Sequence, residues 1–109
     1  MFDLKWSASE KKIARRAYEA ALDRALAKIM TEFRAKAAAA ATPSDMWAIE
    51  DYLRRQRREI DETFDYRYSQ LPFVFAKLVL MGHLDDAELS GLSEEKLEII
   101  RHVLSLHRE

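Results

Sequence analysis

The chain of 109 residues contains no cysteine, which excludes a disulfide framework, thiolate catalysis and cysteine-based zinc sites. Glycine and proline are nearly absent too, at two each, so few positions can force a turn and long uninterrupted helices are expected. Neither sign of charge dominates: 18 Lys and Arg against 19 Asp and Glu leave a formal net charge of -1. No global positive field therefore draws the chain onto nucleic acid or an anionic membrane, and any such binding falls to a local patch. No segment approaches the ~20 apolar residues of a membrane span. Met1–Trp6 also lacks the apolar core of a signal peptide, so a cytosolic protein without an integral membrane segment is expected.

What is present is a charged fraction of 34%, above the usual ~25%, which favours ion-paired helices. A chain of this length supports one domain over residues 1–109 with one modest core. Ser7-x-x-Glu10 reads as a capping box, opening a helix that meets no Gly or Pro before Pro43 and runs to about Ala41. Ala14, Tyr18, Leu22, Ala25, Ile29 and Phe33 recur at steps of three or four, with Leu26 and Met30 as a second line. Thr42-Pro43-Ser44-Asp45 caps a second helix carrying Met46, Ile49, Leu53, Ile60, Phe64 and Tyr68 on one face. Glu32–Lys36, Glu50–Arg54, Asp51–Arg55, Arg57–Asp61 and Arg58–Glu62 are acid–base pairs one turn apart. Pro72 opens a third helix or kinks the second, and Phe73–Met81 is apolar almost all round, which predicts the most buried segment. Gly82 closes it, Asp85–Leu89 makes a short turn before Gly91, and Ser93 caps the last helix. The expected fold is all-α. Two long antiparallel helices over about 8–70 form an extended hairpin, and short helices over about 71–109 form a head.

A helix of that length spans about 50 Å, against a radius of gyration of ~13 Å for a compact domain of this size. Its apolar stripes outreach what the short helices can cover, so a two-fold homodimer is expected, with Met46, Ile49 and Leu53 in the seam.

Chemistry-bearing clusters are sparse. His83, His102 and His107 show no ligand spacing, Asp85, Asp86 and Glu88 fit helix capping better than a cation loop, and no phosphate loop or nucleophile elbow is present. No enzyme, metal or cofactor is expected. Acids interleave the Arg54–Arg58 cluster, which favours a solvated ion-pair face over a nucleic-acid site. Trp47, costly to expose, can combine with Asp51 and Arg57 into a mixed aromatic and charged patch, and Arg57 breaks an otherwise apolar stripe.

Asp45-Met46-Trp47-Ala48-Ile49-Glu50-Asp51-Tyr52-Leu53, Arg57, Glu59-Ile60-Asp61 and Phe73-Val74-Phe75-Ala76 resemble the fluorescence recovery protein family. The resemblance is strongest from Asp45 to Gly82. It implies an all-helical dimer that binds the photoactivated orange carotenoid protein at its C-terminal domain and speeds its return from the red, quenching form to the orange form. Fluorescence of the phycobilisome then recovers. In a cyanobacterial setting the protein would lie in the cytoplasm or at the periphery of photosynthetic membranes. By the same resemblance Trp47, Glu50, Asp51 and Arg57 fall on the functional patch, Arg57 also at the dimer interface, and Phe73 on the head contact surface. Where cyanobacterial members usually carry a histidine just before the aspartate, this chain has Glu50, a fixed negative charge. The alternative is a related helical regulator from a non-photosynthetic bacterium, with a different protein client.

Overall fold

The computed structural model describes residues 4–107, and among them every regular element is helical. Four α-helices follow one another: α1 Ala8–Ala39, α2 Pro43–Thr63, α3 Leu71–Leu80 and α4 Glu94–His107, with a 3-10 turn, Asp86–Leu89, before α4. The molecule extends 53 × 31 × 24 Å with a radius of gyration of 16.8 Å, well above the ~13 Å of a compact chain this long.

Both long helices begin at reciprocal capping boxes. Ser7 accepts from the Glu10 amide while Glu10 accepts from that of Ser7, and Thr42 and Asp45 repeat the arrangement ahead of Pro43. Each box satisfies two of the donors a helix start leaves without partners. α1 stops at Ala39, two residues short of the expected Ala41, because the alanine run offers propensity but no surface to bury.

The buried line of α1 is Ala14, Ala17, Ala21 and Ala25. The bulkier Tyr18, Leu22, Ile29 and Phe33 are only half-buried beside it. Small side chains let α1 lie close against the remaining elements. Ala14, Ala17 and Ala21 share one core with Leu71, Val74, Phe75, Ala76 and Leu78 of α3, Leu84, Leu89 and Leu92 of the connection, and Ile100 and Leu104 of α4. α3 supplies the largest buried side chains, Phe75, Leu71 and Leu78, as its uniformly apolar sequence predicts. Leu71 and Pro72 sit in its first turn, so Pro72 opens the helix rather than kinking α2.

α2 ends at Thr63 rather than near residue 70, so Phe64 and Tyr68 do not continue its stripe. From Phe64 the chain leaves helical geometry, and Phe64, Tyr66 and Tyr68 alternate with Asp65 and Arg67. An extended segment sends alternate side chains to one side. Here the aromatics meet Tyr18, whose ring stands edge-on to Phe64 and Tyr66 at 5.4 and 4.8 Å, and Trp6, 5.3 Å from Tyr68. Such aromatic packing contributes about 0.5–1.5 kcal/mol per pair beyond area burial.

Gly82 and Gly91 close α3 and the 3-10 turn at positive φ, 81° and 102°, where a side chain is disfavoured. At Gly91 a Cβ would also fall 2.6 Å from Ile13 Cδ1, so the absence of a side chain lets α1 approach the turn.

Candidate partner-binding surface

Two polar clamps fix α1 against the C-terminal elements. Lys96 is buried, and its Nζ donates to Glu10 Oε2 at 2.9 Å and to the Lys5 carbonyl at 2.6 Å, while standing 4.6 Å from the Trp6 ring centre. Glu10 Oε2 also accepts from the Ser93 amide at 2.9 Å, so one carboxylate joins the starts of α1 and α4. Burial pushes Glu10 up, but hydrogen bonds from the Ser7 amide, Lys96 and the Ser93 amide outweigh it and hold the carboxyl at about 2. About 21 Å further along the same side of α1, Arg24 grips both Glu88 oxygens at 2.7 Å and donates to the His83 carbonyl at 3.0 Å. Asp85 and Glu88 complete a capping box of the 3-10 turn. The hydrogen bond from Arg24 holds Glu88 below the usual carboxylate range.

The hairpin is tied by Tyr52, whose hydroxyl donates to Glu32 Oε2 at 2.6 Å while Lys36 lies over its ring at 4.8 Å. Glu32 and Lys36 thus meet at Tyr52 instead of pairing with each other. Burial first, then the Glu32 carboxylate, pushes the Tyr52 hydroxyl up to about 12. Tyr52, Gln56, Ile60 and Thr63 form the α2 side of the contact with α1.

A second stripe lies about a quarter of a turn further round α2: Met46, Leu53 and Arg57 are exposed there, with Ile49 half-buried at its edge. On α1, Leu26 and Met30 are offset from the hairpin contact in the same rotational sense. In antiparallel helices this puts both stripes on one side of the hairpin. Met46, Met30, Leu26 and Leu53 are 52, 46, 43 and 36% exposed in the single chain, and Arg57 shares the α2 stripe with Met46 and Leu53. Arg57 makes no hydrogen bond or ion pair with any of the described residues.

Trp47, 58% exposed, stands on the outer face of α2 with Asp51 one turn on. Glu50 lies between the two faces and pairs with Arg54 at 3.2 Å. This is the one pair of the four expected along α2 that forms among the described residues, since exposed pairs gain little against side-chain entropy. Phe73 is half-buried in the first turn of α3. Trp47 is about 24 Å along α2 from Thr63, so α2 carries Trp47, Glu50, Asp51 and Arg57 on two adjacent faces and Phe73 stands apart from them.

Sequence reasoning missed Lys96, Arg24 and Tyr52 as clamps, and Glu10 as more than a cap. The alternation of aromatics over Phe64–Tyr68 was the available signal for the extended segment. His83 is half-buried and held below its usual range by burial and by Lys28, with Glu59 opposing. His102 and His107 are exposed. Among the described residues no three His, Asp or Glu side chains come together as a metal would require, and no helix is long and apolar enough to cross a membrane.

The geometry describes an elongated, all-helical protein whose hairpin presents apolar and charged side chains outward. The family model for the photoprotection regulator fluorescence recovery protein matches residues 6–105. The Fluorescence recovery protein of Synechocystis is 32% identical over 101 residues, 93% of each chain. The structure of the Fremyella diplosiphon Fluorescence Recovery Protein superposes with a TM-score of 0.86 at 36% identity, covering 94% of this chain and 99% of that one. That of the Synechocystis protein gives 0.88 at 31% identity, covering 93% and 99%. The chain belongs to the fluorescence recovery protein family.

Proposed function

We propose that this protein is a non-enzymatic, homodimeric regulator that binds the photoactivated orange carotenoid protein at its C-terminal domain. It accelerates return to the orange, inactive form and so ends photoprotective quenching at the phycobilisome. Membership of a family of photoprotection regulators across nearly the whole chain carries the reading. The exposed stripe of Leu26, Met30, Met46 and Leu53 supports a second copy as its cover, with Ile49 at the seam and Arg57 facing a carboxylate across it. Trp47, Glu50, Asp51 and Phe73 are the proposed client contacts. To speed a conformational return, the dimer must bind the transition between the two forms more tightly than the red form, because uniform binding leaves the rate unchanged. No bond is made or broken.

Glu50 favours a second reading. Its negative charge, paired with Arg54, stands where the resemblance to cyanobacterial members implies a histidine, and a client selected for that charge would differ from the carotenoid protein. The dark recovery rate of red-form orange carotenoid protein, with and without added protein, separates the two: acceleration supports the first reading, and its absence removes it. Arg57→Leu should abolish most of any acceleration and Arg57→Lys restore part of it, since Lys lacks the planar fork. Truncating one half of a desolvated charge pair costs ~2–5 kcal/mol. Full activity in Arg57→Leu would discard the assigned role of Arg57 and leave the function standing.

A further inference from the structure

The outer face of α1 near its start carries Lys11, Lys12, Arg15 and Arg16, all exposed. The ion pairs among the described residues use Arg24, Arg54, Arg67, Lys96 and Arg101, so none of these four cations forms an ion pair with a described residue. Two of their spacings are unfavourable to the helix. Lys11–Arg15 and Lys12–Arg16 are like-charge pairs one turn apart, each unfavourable by roughly 0.2–0.5 kcal/mol. Lys11 also sits in the first turn of α1, the positive end of the helix dipole, where anions are preferred. The same face has a rigid side: Arg15 lies 4.3 Å from the centre of the Tyr66 ring and Lys11 5.4 Å from that of Tyr68. These contacts hold the two cations along one wall of an open groove of about 620 Å³, lined by Lys11, Lys12, Arg15, Arg16, Glu19 and the two tyrosines.

We propose that this groove is a second docking surface, for a carboxylate-rich face of a protein partner. A protein fits better than the other polyanions. The four cations span only about 8 Å of helix, too short to track a nucleic-acid backbone, and Glu19 lines the same groove. A membrane-surface helix sets large apolar residues beside its cations, whereas among the described residues the side chains that share this groove with the cations are Glu19 and two tyrosines, the tyrosines half-buried. Arg16 is about 15 Å along α1 from Leu26, so both surfaces can be occupied together. The partner is taken to be the same client that meets the α2 patch, and in this the inference rests on the proposed function. In its chemistry it does not.

The test compares wild type with Lys12→Glu/Arg16→Glu, which reverses two outward charges without touching the tyrosine contacts. Probes are a labelled twelve-residue Glu/Asp-rich peptide, a twelve-nucleotide single-stranded DNA, vesicles of phosphatidylcholine with phosphatidylserine, and red-form orange carotenoid protein. Expected are peptide binding that weakens as salt rises from about 50 to about 300 mM, and a drop of at least about tenfold in affinity for peptide and carotenoid protein in the double variant. An unchanged melting temperature and oligomeric mass in that variant would assign the loss to the surface. Wild-type binding to the carotenoid protein that the charge reversal leaves unaltered would overturn the docking surface and spare the functional reading. Should the wild type not bind the carotenoid protein, the functional reading fails and the peptide arm decides. Tighter binding of DNA or vesicles than of peptide, or equal peptide binding by the variant, would overturn the inference.

Discussion

Lys96 shows how one residue acts differently from its sequence neighbourhood. In sequence it is a lysine in the first turn of a charged helix; in the fold it is 3% exposed and its Nζ meets Glu10, the Lys5 carbonyl and Ser93 Oγ. Removing one partner of a buried pair strands the other charge, so Lys96→Met should destabilise the protein by ~3–5 kcal/mol, read by denaturant titration. Glu10 adds a pH dependence. Its carboxyl is lowered from 4.5 to about 2 on folding, so the unfolded chain takes up its proton first. The stabilisation is complete above about pH 4.5 and is lost as pH falls through that value toward 2. Glu10→Gln should flatten this part of the stability profile, and an unaltered profile would show that other carboxylates set the acid limit.

At the scale of elements, the turn before α4 is tightly fitted against α1. Gly91 combines φ of 102° with a contact to Ile13. Gly91→Ala should therefore cost ~1–3 kcal/mol, seen as a lower melting temperature, whereas a loss within error would mean the turn relaxes freely. The α1–α2 hairpin has the opposite character, long and lightly tied through Tyr52 and Glu32. Its existence and direction could be read from two capping boxes and Pro43. The end of α2 at Thr63 could not, because the helical step of Ile60, Phe64 and Tyr68 and the alternation of Phe64, Tyr66 and Tyr68 are both present in the sequence. Packing of Phe64 and Tyr66 on Tyr18, and of Tyr68 on Trp6, chose the second.

For the whole molecule, elongation and exposed apolar surface point the same way. A single chain of 53 Å length with Leu26, Met30, Met46 and Leu53 open to water gains by burying them, at about 25 cal/mol per Å². Light scattering at micromolar concentration should give about twice the 12.7 kDa of one chain. Met46→Glu or Ile49→Glu should give a monomer, because each places a charge without a partner in the seam. Wild-type protein that stays monomeric at high concentration would remove the dimer.

The sequence by itself determined the helical class, the starts of α1, α2 and α4, the burial of α3 and the family, because capping, proline and hydrophobic period act over a few residues and leave local marks. Tertiary structure alone decided which line of α1 is buried: alanines, which permit close approach, rather than the larger residues beside them. It also decided that Glu10 meets Lys96 and that Arg24 meets Glu88, pairs 86 and 64 residues apart. Nothing local distinguishes a lysine that will be buried from one that will be solvated. That difference is made only when the start of α4 folds against the start of α1 and water leaves the space between them.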